Sequence, residues 1–171
     1  SDLVLWEQKV KKLIFLSAAV IIAVSCAGED PGTRQIDGVV VLQKAEELLG
    51  AASSKDFGKA WDMMAPSLTQ KATSAGTSKK VYIAQMDDLF QQVETVDHGP
   101  SKLIFLDGKF AITEAEISYA FAESWKTERV TRCDRTVWLK FPDGWYWRDT
   151  SVDCDYMPNP AEIERLTSEL R

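Results

Sequence analysis

Cys133 and Cys154 are the residues whose types most directly suggest chemistry in this sequence. The sequence has three cysteines, and the third, Cys26, stands in a different context. No C-x-x-C spacing is present, so the pattern favours neither a redox motif nor a zinc site. Exported proteins keep disulfides, because their compartment is oxidising. We therefore predict a disulfide between Cys133 and Cys154.

Whether these two cysteines meet depends on the register of a predicted hairpin. If Asp143-Gly144 is a two-residue turn, Lys140 faces Trp147 and the two cysteines face each other in a non-hydrogen-bonded pair. If the turn is type I with a glycine bulge, Leu139 faces Trp147, and the one-residue shift places the two sulfurs on opposite faces. The second register makes the better apolar layer, and a further bulge would reconcile the two.

Other chemical motifs are missing from the sequence. His98 is the only histidine, so a Ser-His-Asp or Cys-His site would have to use it, yet "VDHGP" is typical of a surface turn. No P-loop, G-x-G-x-x-G or H-E-x-x-H occurs. Asp153 and Asp155 flank Cys154, but we interpret them as solvated charges. We expect no metal and no cofactor. The net charge of -6 without a basic stripe argues against nucleic acid.

The beginning of the sequence has the order of an export signal. Three lysines precede a 12-residue apolar run, Leu13–Val24, which is shorter than the about 20 residues that a spanning helix needs. This order matches a secretory signal peptide. The "AVSC" that follows, with Ser25 before Cys26, resembles the lipobox of bacterial lipoproteins. There the cysteine is acylated and becomes the mature N-terminus.

This resemblance implies a division of the chain and a location. Residues 1–25 would be the signal peptide, of which residues 1–9 would lie upstream of the true start. Residues 26–35 would form a polar tether, and residues 36–171 would form the folded domain. Acyl chains such as palmitate on Cys26 would hold the protein at the bacterial cell membrane or outer membrane. An uncleaved anchor or a cleaved, secreted protein are the alternatives, and all three place the domain outside the cytoplasm.

Helical periodicity in the first half of the domain gives way to strand periodicity in the second. We predict three helices, each bounded by capping or breaking residues. Asp37 and Gly50 bound the first helix, and Ser53 or Ser54 and Pro66 bound the second. Ser78 caps the third, whose apolar stripe runs to Val93. Four strands then form an antiparallel meander that starts with a hairpin at Asp107-Gly108. Asn159 caps a short C-terminal helix.

Three segments of the sequence also resemble a known superfamily. "VLQKAEELLGAASSKDFGKAWDMMAPSL", "VYIAQMDDLFQQV" and "DGWYWRDT" are similar to segments of cystatin-like, nuclear transport factor 2-like proteins, over about residues 36–154. The resemblance implies an α+β cone, in which N-terminal helices pack on a curved four-stranded antiparallel sheet and leave an apolar cavity. Isomerases, dehydratases, carriers and non-catalytic binding modules share this cone, so the fold alone does not decide function.

We interpret the domain as a non-catalytic binding or protein-interaction module for a small apolar ligand or an envelope protein. Aromatic walls suit such a ligand, and the pocket candidates are Trp61, Tyr119, Phe121, Trp138 and Trp147. The alternative for the same residues is that they fill the core of the cone.

Two rival functions stay open. One is a small isomerase- or dehydratase-like enzyme that uses Asp149 and Tyr119 as a general acid–base pair in the cavity. The other is a structural accessory subunit of a cell-envelope complex. The sequence leaves open whether the protein is a homodimer.

Overall fold

The described part of the chain consists of four helices, one antiparallel sheet and a last helix. The structure is a computed structural model that describes residues 31–123, 126–151 and 153–170. The helices are α1 (Pro31–Ser53), α2 (Phe57–Asp62), α3 (Pro66–Ser74), α4 (Lys79–Leu89) and α5 (Pro160–Ser168). The strands are β1 (Val93–His98), β2 (Lys102–Asp107), β3 (Phe110–Glu123), β4 (Lys126–Phe141) and β5 (Gly144–Ser151). This confirms the predicted α+β class, with helices on a curled antiparallel sheet. The predicted signal peptide, Cys26 and Trp125 lie outside the described residues.

Helix α1 extends beyond both of its predicted boundaries. Asp37 lies inside the helix and does not cap it, because its carboxylate is used by the sheet. Gly50 also lies inside, where Ala51 continues the helix and is 2% exposed. The second helix starts after Asp56, whose side chain accepts a hydrogen bond from the Lys59 N–H at 2.9 Å, and not after a serine. Pro66 begins a separate helix, α3, in the first-turn position that proline tolerates.

Two of the predicted helix caps are confirmed. The Ser78 hydroxyl accepts from the Val81 N–H at the start of α4, at 3.3 Å. The Asn159 side chain accepts from the Glu162 N–H at the start of α5, at 2.9 Å. Each cap satisfies a backbone donor that has no partner within its own helix.

The sheet has five strands among the described residues, one more than predicted. The addition is β1, which begins at Val93, predicted to end the stripe of the third helix, and ends at His98, predicted to lie in a turn. Helix α4 ends at Leu89, and β1 then pairs with the second half of β3, from Val93 opposite Phe121 to His98 opposite Ile117. Strand β2 pairs with the first half of β3, so β1 and β2 lie end to end along one edge of it.

Next to its turn, the hairpin between β4 and β5 has neither of the two predicted registers. Pro142 and Asp143 form its turn, and Trp138 faces Trp147. Proline presets the first turn position, and Gly144 then starts β5 with a φ of 153°, which suits glycine. A bulge after Trp147 shifts the rest of the ladder by one residue, so that Val137 faces Asp149, which is the second predicted register.

The disulfide forms beyond the end of this ladder. The last β4–β5 pair is Arg135 with Ser151, and Cys133 lies two residues further along β4. Cys154 follows β5 in a turn, where it is joined to Cys133 by a disulfide with the two Cα atoms 5.6 Å apart. The bridge ties the chain that leads into α5 to the sheet, and it does not depend on the hairpin register.

The two faces of the sheet bury different cores. We call the face under α1 the inner face; there Ala111, Trp138 and Trp145 pack against Val41 and Ala45 of the helix. We call the other the outer face, on which α5 inserts Leu166 against four strand residues, Phe110, Ile112, Val137 and Leu139. The free edge of β5 is covered by the segment after α2, because Trp147 exchanges backbone hydrogen bonds with Met63 and Ala65 at 3.0 and 2.7 Å.

Trp138 and Thr113 form a buried polar contact in the middle of the inner core. Trp138 is fully buried, and its indole N–H donates to the Thr113 hydroxyl at 2.8 Å. Thr113 is itself buried, with an exposed fraction of 3%. The hydroxyl therefore satisfies a donor that water cannot reach.

We expect Thr113→Val to lower the free energy of unfolding by about 1–3 kcal/mol, because it leaves the indole N–H buried without an acceptor. Urea denaturation measures the change. The matched control is Thr95→Val on the exposed side of β1, with little expected effect. Equal effects of the two substitutions would contradict the assigned hydrogen bond.

Candidate functional site

The tryptophans that the sequence proposed as a pocket wall are used in packing. Trp138 is fully buried at the centre of the inner core. Trp147 is half-buried, and its indole N–H donates to the Ala60 carbonyl at 2.8 Å. Trp61 is 8% exposed and packs on Tyr82 with 5.1 Å between the ring centroids. These placements favour the alternative that the aromatic residues fill the core, and they do so most directly for Trp138.

Tyr119 and Phe121 lie at the other end of the inner face, away from Trp138. Both are half-buried against the cluster of Val93, Val96 and Ile117. Phe90, which follows α4, lies over Tyr119 with a centroid separation of 6.3 Å. An aromatic and aliphatic wall therefore surrounds Tyr119.

Asp149 and Tyr119, the predicted acid–base pair, are not brought together. Directly paired residues in a sheet share a face, and Tyr119 is paired with Val130 on the inner face. Asp149 is paired with Val137, which belongs to the outer core under α5. Burial raises the pKa of Asp149, but its charged neighbours are on the α5 side, and Tyr119 is not among them.

Two residues that sequence reasoning missed, Arg132 and Asp134, lie beside Tyr119. They alternate along β4 and are paired with Ile117 and Ala115 of β3, so both point to the inner face. The guanidinium carbon of Arg132 is 4.9 Å from the centroid of the Tyr119 ring, in a cation–π arrangement. The sequence does place two charged residues at alternate positions of β4. That these residues pair with an apolar face of β3 can be recognised only when the β3–β4 register is known.

The electrostatics of these three side chains are coupled. Burial raises the pKa of Asp134 from 3.8 to about 6, and the nearby Arg132 charge opposes that rise. Burial, and then the charge of Asp134, raise the pKa of Tyr119 to about 12, again against Arg132. At neutral pH the site therefore holds a neutral phenol, a cationic guanidinium and a carboxylate that is less acidic than usual.

Arg132 and Asp134 also have buried atoms that none of the described protein groups satisfies. The Nε of Arg132 is a buried donor and the Oδ1 of Asp134 is a buried acceptor, and neither has a hydrogen-bond partner among the residues that the structure describes. The two side chains as a whole are only half-buried, and Val130, across from Tyr119, is 38% exposed. This end of the inner face is thus open and has an unmatched donor and an unmatched acceptor.

The described residues place three potential metal ligands together elsewhere, on the outer face. Glu114, Cys133 and Cys154 have donor atoms within 4.8 Å of one another. The two sulfurs are joined in the disulfide, so they offer no thiolate. Arg135 donates to one oxygen of Glu114 with two nitrogens, at 2.9 and 3.0 Å. We interpret the cluster as an ion pair between Arg135 and Glu114 that lies beside the disulfide.

His98 is half-buried at the end of β1. Its Nδ1 is 3.0 Å from the Gly99 carbonyl oxygen and 4.0 Å from a carboxylate oxygen of Glu46. The other Glu46 oxygen accepts from the Ser101 N–H at 2.6 Å. These contacts connect β1 to α1 and provide no nucleophile for the histidine to activate.

No helix within residues 31–123, 126–151 and 153–170 has the length and apolar character to cross a bilayer. The comparison with family models gives no match, and neither does the comparison with curated proteins.

Solved structures do resemble this chain. A candidate aromatic ring hydroxylase from Novosphingobium aromaticivorans has a TM-score of 0.53 at 12% identity, covering 72% of this chain and 92% of that one. A nuclear transport factor 2-like superfamily protein from Salmonella enterica has a TM-score of 0.50 at 13% identity, covering 77% and 96%.

A candidate dehydratase of the nuclear transport factor 2-like family from Streptomyces avermitilis has a TM-score of 0.50 at 11% identity, covering 68% of this chain and 95% of that one. Likeness at this identity concerns the course of the backbone. Together with the curled sheet and its helices, these neighbours establish that the chain has the nuclear transport factor 2-like fold.

Proposed function

We propose that this protein is a binding module whose small-molecule ligand lies on the open end of the inner face, against Tyr119, Arg132 and Asp134. The observation that carries the proposal is the pair of buried, unsatisfied atoms there, Arg132 Nε and Asp134 Oδ1. A buried polar group without a partner destabilises a protein by about 1–3 kcal/mol. Such groups persist where another molecule satisfies them or where they have a chemical task.

The surroundings of these two atoms favour binding of an organic molecule over a bare ion. Tyr119, Phe90 and the partly exposed Val130 provide apolar contact area next to the polar atoms. Small-molecule sites combine such walls with a few polar groups that fix orientation. The ligand would thus be partly apolar, as the sequence suggested, but it must also carry polar groups.

Native mass spectrometry of the purified full chain in detergent tests this proposal. We expect a retained small molecule, which is lost from the double variant Arg132→Met/Asp134→Asn. Arg129→Met is the matched control, because Arg129 lies on the same strand but is paired with Ala120 on the outer face. A ligand that survives the double variant, or an empty chain that binds no compound from a metabolite library, would refute the proposed site.

An acid–base enzyme is the second candidate, and the altered pKa of Asp134 is what favours it. A carboxylate with a pKa of about 6 is better matched to proton abstraction near neutral pH than an ordinary aspartate. Tyr119, neutral up to a pKa of about 12, would be the hydrogen-bond donor. Asp134 thus replaces Asp149 in the role that the sequence suggested. Conversion of the retained molecule, abolished in Asp134→Asn, would establish the enzyme.

The raised pKa of Asp134 predicts a pH-dependent stability difference. Because the folded state holds this proton more tightly than the unfolded state, the contribution of Asp134 to wild-type stability falls as pH rises from about 3.8 to about 6. Asp134→Asn does not titrate, so we expect it to gain stability relative to wild type across that range and to keep a constant advantage above it. Denaturant titrations at several pH values measure this.

Asp88→Asn on the exposed surface of α4 is the control for that series. It keeps the same change of chemical group away from Arg132 and Tyr119. A flat difference between wild type and Asp134→Asn from pH 4 to pH 7 would show that Asp134 is not held in a desolvated environment.

We further propose that the module is a lipoprotein, anchored through Cys26 on the outer side of a bacterial membrane. The export signal and the "AVSC" pattern support this placement. The Cys133–Cys154 disulfide is also the kind of bond that an exported protein keeps. An accessory subunit of an envelope complex is the remaining alternative, which the exposed Ile36 and Val39, at 67% and 63%, would suit as partner contacts.

Labelling with radioactive palmitate in a bacterial host tests the anchor. We expect the wild-type chain to be labelled and to sediment with membranes, and Cys26→Ala to be unlabelled. The control Cys133→Ser/Cys154→Ser removes the other sulfurs and should stay labelled. An unlabelled wild-type chain in the cytosolic fraction would refute this placement.

A further inference from the structure

We infer that the ligands of this site are small zwitterions, molecules with a carboxylate and an ammonium group on neighbouring atoms and an apolar side chain, as in free α-amino acids. The inference rests on the proposed function and specifies its ligand class. It follows from which atoms Arg132 and Asp134 leave unsatisfied and from how these atoms are arranged on β4.

The two unsatisfied groups require opposite partners. The guanidinium of Arg132 is always protonated, so its free Nε–H needs an acceptor, and an anionic acceptor gives the stronger hydrogen bond. The Oδ1 of Asp134 needs a donor, and a cationic donor is again the stronger. A ligand with one charge would satisfy one of the two groups. It would leave the other group without a partner or place a like charge beside it.

The spacing of the two residues favours a compact ligand. Arg132 and Asp134 are two residues apart on one face of a strand, which places their Cα atoms about 6.6 Å apart. A carboxylate and an ammonium separated by a single carbon fit between two side chains at that spacing. A ligand with widely separated charges would have to extend beyond one of them.

The orientation of Arg132 is fixed by the tyrosine below it. The guanidinium lies over the Tyr119 ring at 4.9 Å, so less conformational freedom is lost when an anion binds to it. The remaining wall, with Val130 on one side and Phe90 beyond the ring, is apolar. The side chain of the amino acid would lie against that wall.

Isothermal titration calorimetry of the full chain with matched compounds tests the inference. The probes are L-leucine and L-phenylalanine, their N-acetyl derivatives, which are anions, and their amides, which are cations. We expect at least one free amino acid to bind at least tenfold more tightly than both of its derivatives, because only the zwitterion satisfies both groups. This comparison uses the wild-type chain and needs no variant.

Single variants then assign each preference to a residue. Asp134→Asn should reduce the advantage of the zwitterion over the N-acetyl anion, and Arg132→Met should reduce its advantage over the amide. Arg129→Met, on the outer face of the same strand, should leave both preferences unchanged. Circular dichroism of each variant confirms that it is folded.

The outcomes separate this inference from the proposed function. If a derivative binds as well as its free amino acid, or if both preferences survive in the variants, the zwitterion inference is overturned. If the free amino acids do not bind while another molecule binds in a manner that depends on Arg132 and Asp134, the inference fails and the binding module stands. If no compound depends on these two residues, both fail.

Discussion

The carboxylate of Asp37 is the contact on which the arrangement of helix and sheet depends. It is 7% exposed, and it accepts from the Lys140 ammonium at 2.6 Å and from the Trp145 indole N–H at 3.2 Å. A buried charge of this kind is tolerated only when it is paired and hydrogen-bonded. Because both donors lie on the β4–β5 hairpin, the pair holds one end of α1 on the inner face.

The position of α1 then determines which part of the inner face is covered. Near Asp37 the helix packs Val41 and Ala45 on Trp138 and closes that end of the cone. Further along, Leu49 contacts the Val93 and Ile117 cluster on the side of β1. The β4 side of that end is left partly open, and it is there that Arg132 and Asp134 have unmatched buried atoms. The open site is thus a consequence of the same packing that closes the core.

Local signals predicted the elements well and their pairing poorly. Ser78 and Asn159 were read correctly as caps because a capping bond joins residues three positions apart. The register next to the β4–β5 turn was wrong, because the turn lies at Pro142-Asp143, and only beyond the bulge does the pairing follow the second predicted register. The sequence does not reveal strand β1, because its stability comes from pairing with β3 residues that lie 19 to 28 positions away in the chain. The sequence does not show that Asp149 lies on the outer face, because its face depends on the bulged β4–β5 pairing.

The sequence by itself determined the fold class, the order of helices followed by strands, and which two cysteines pair. The first two follow from hydrophobic period, capping and turn chemistry, which act over a few residues. The cysteine pair follows from the cysteine spacing and from the oxidising compartment of an exported protein. Only the tertiary structure decided which charged residues share the inner face with Tyr119. The reason is that a strand presents alternate residues to opposite faces, so the β3–β4 register places Arg132 and Asp134 beside the tyrosine and the bulged β4–β5 register places Asp149 behind it.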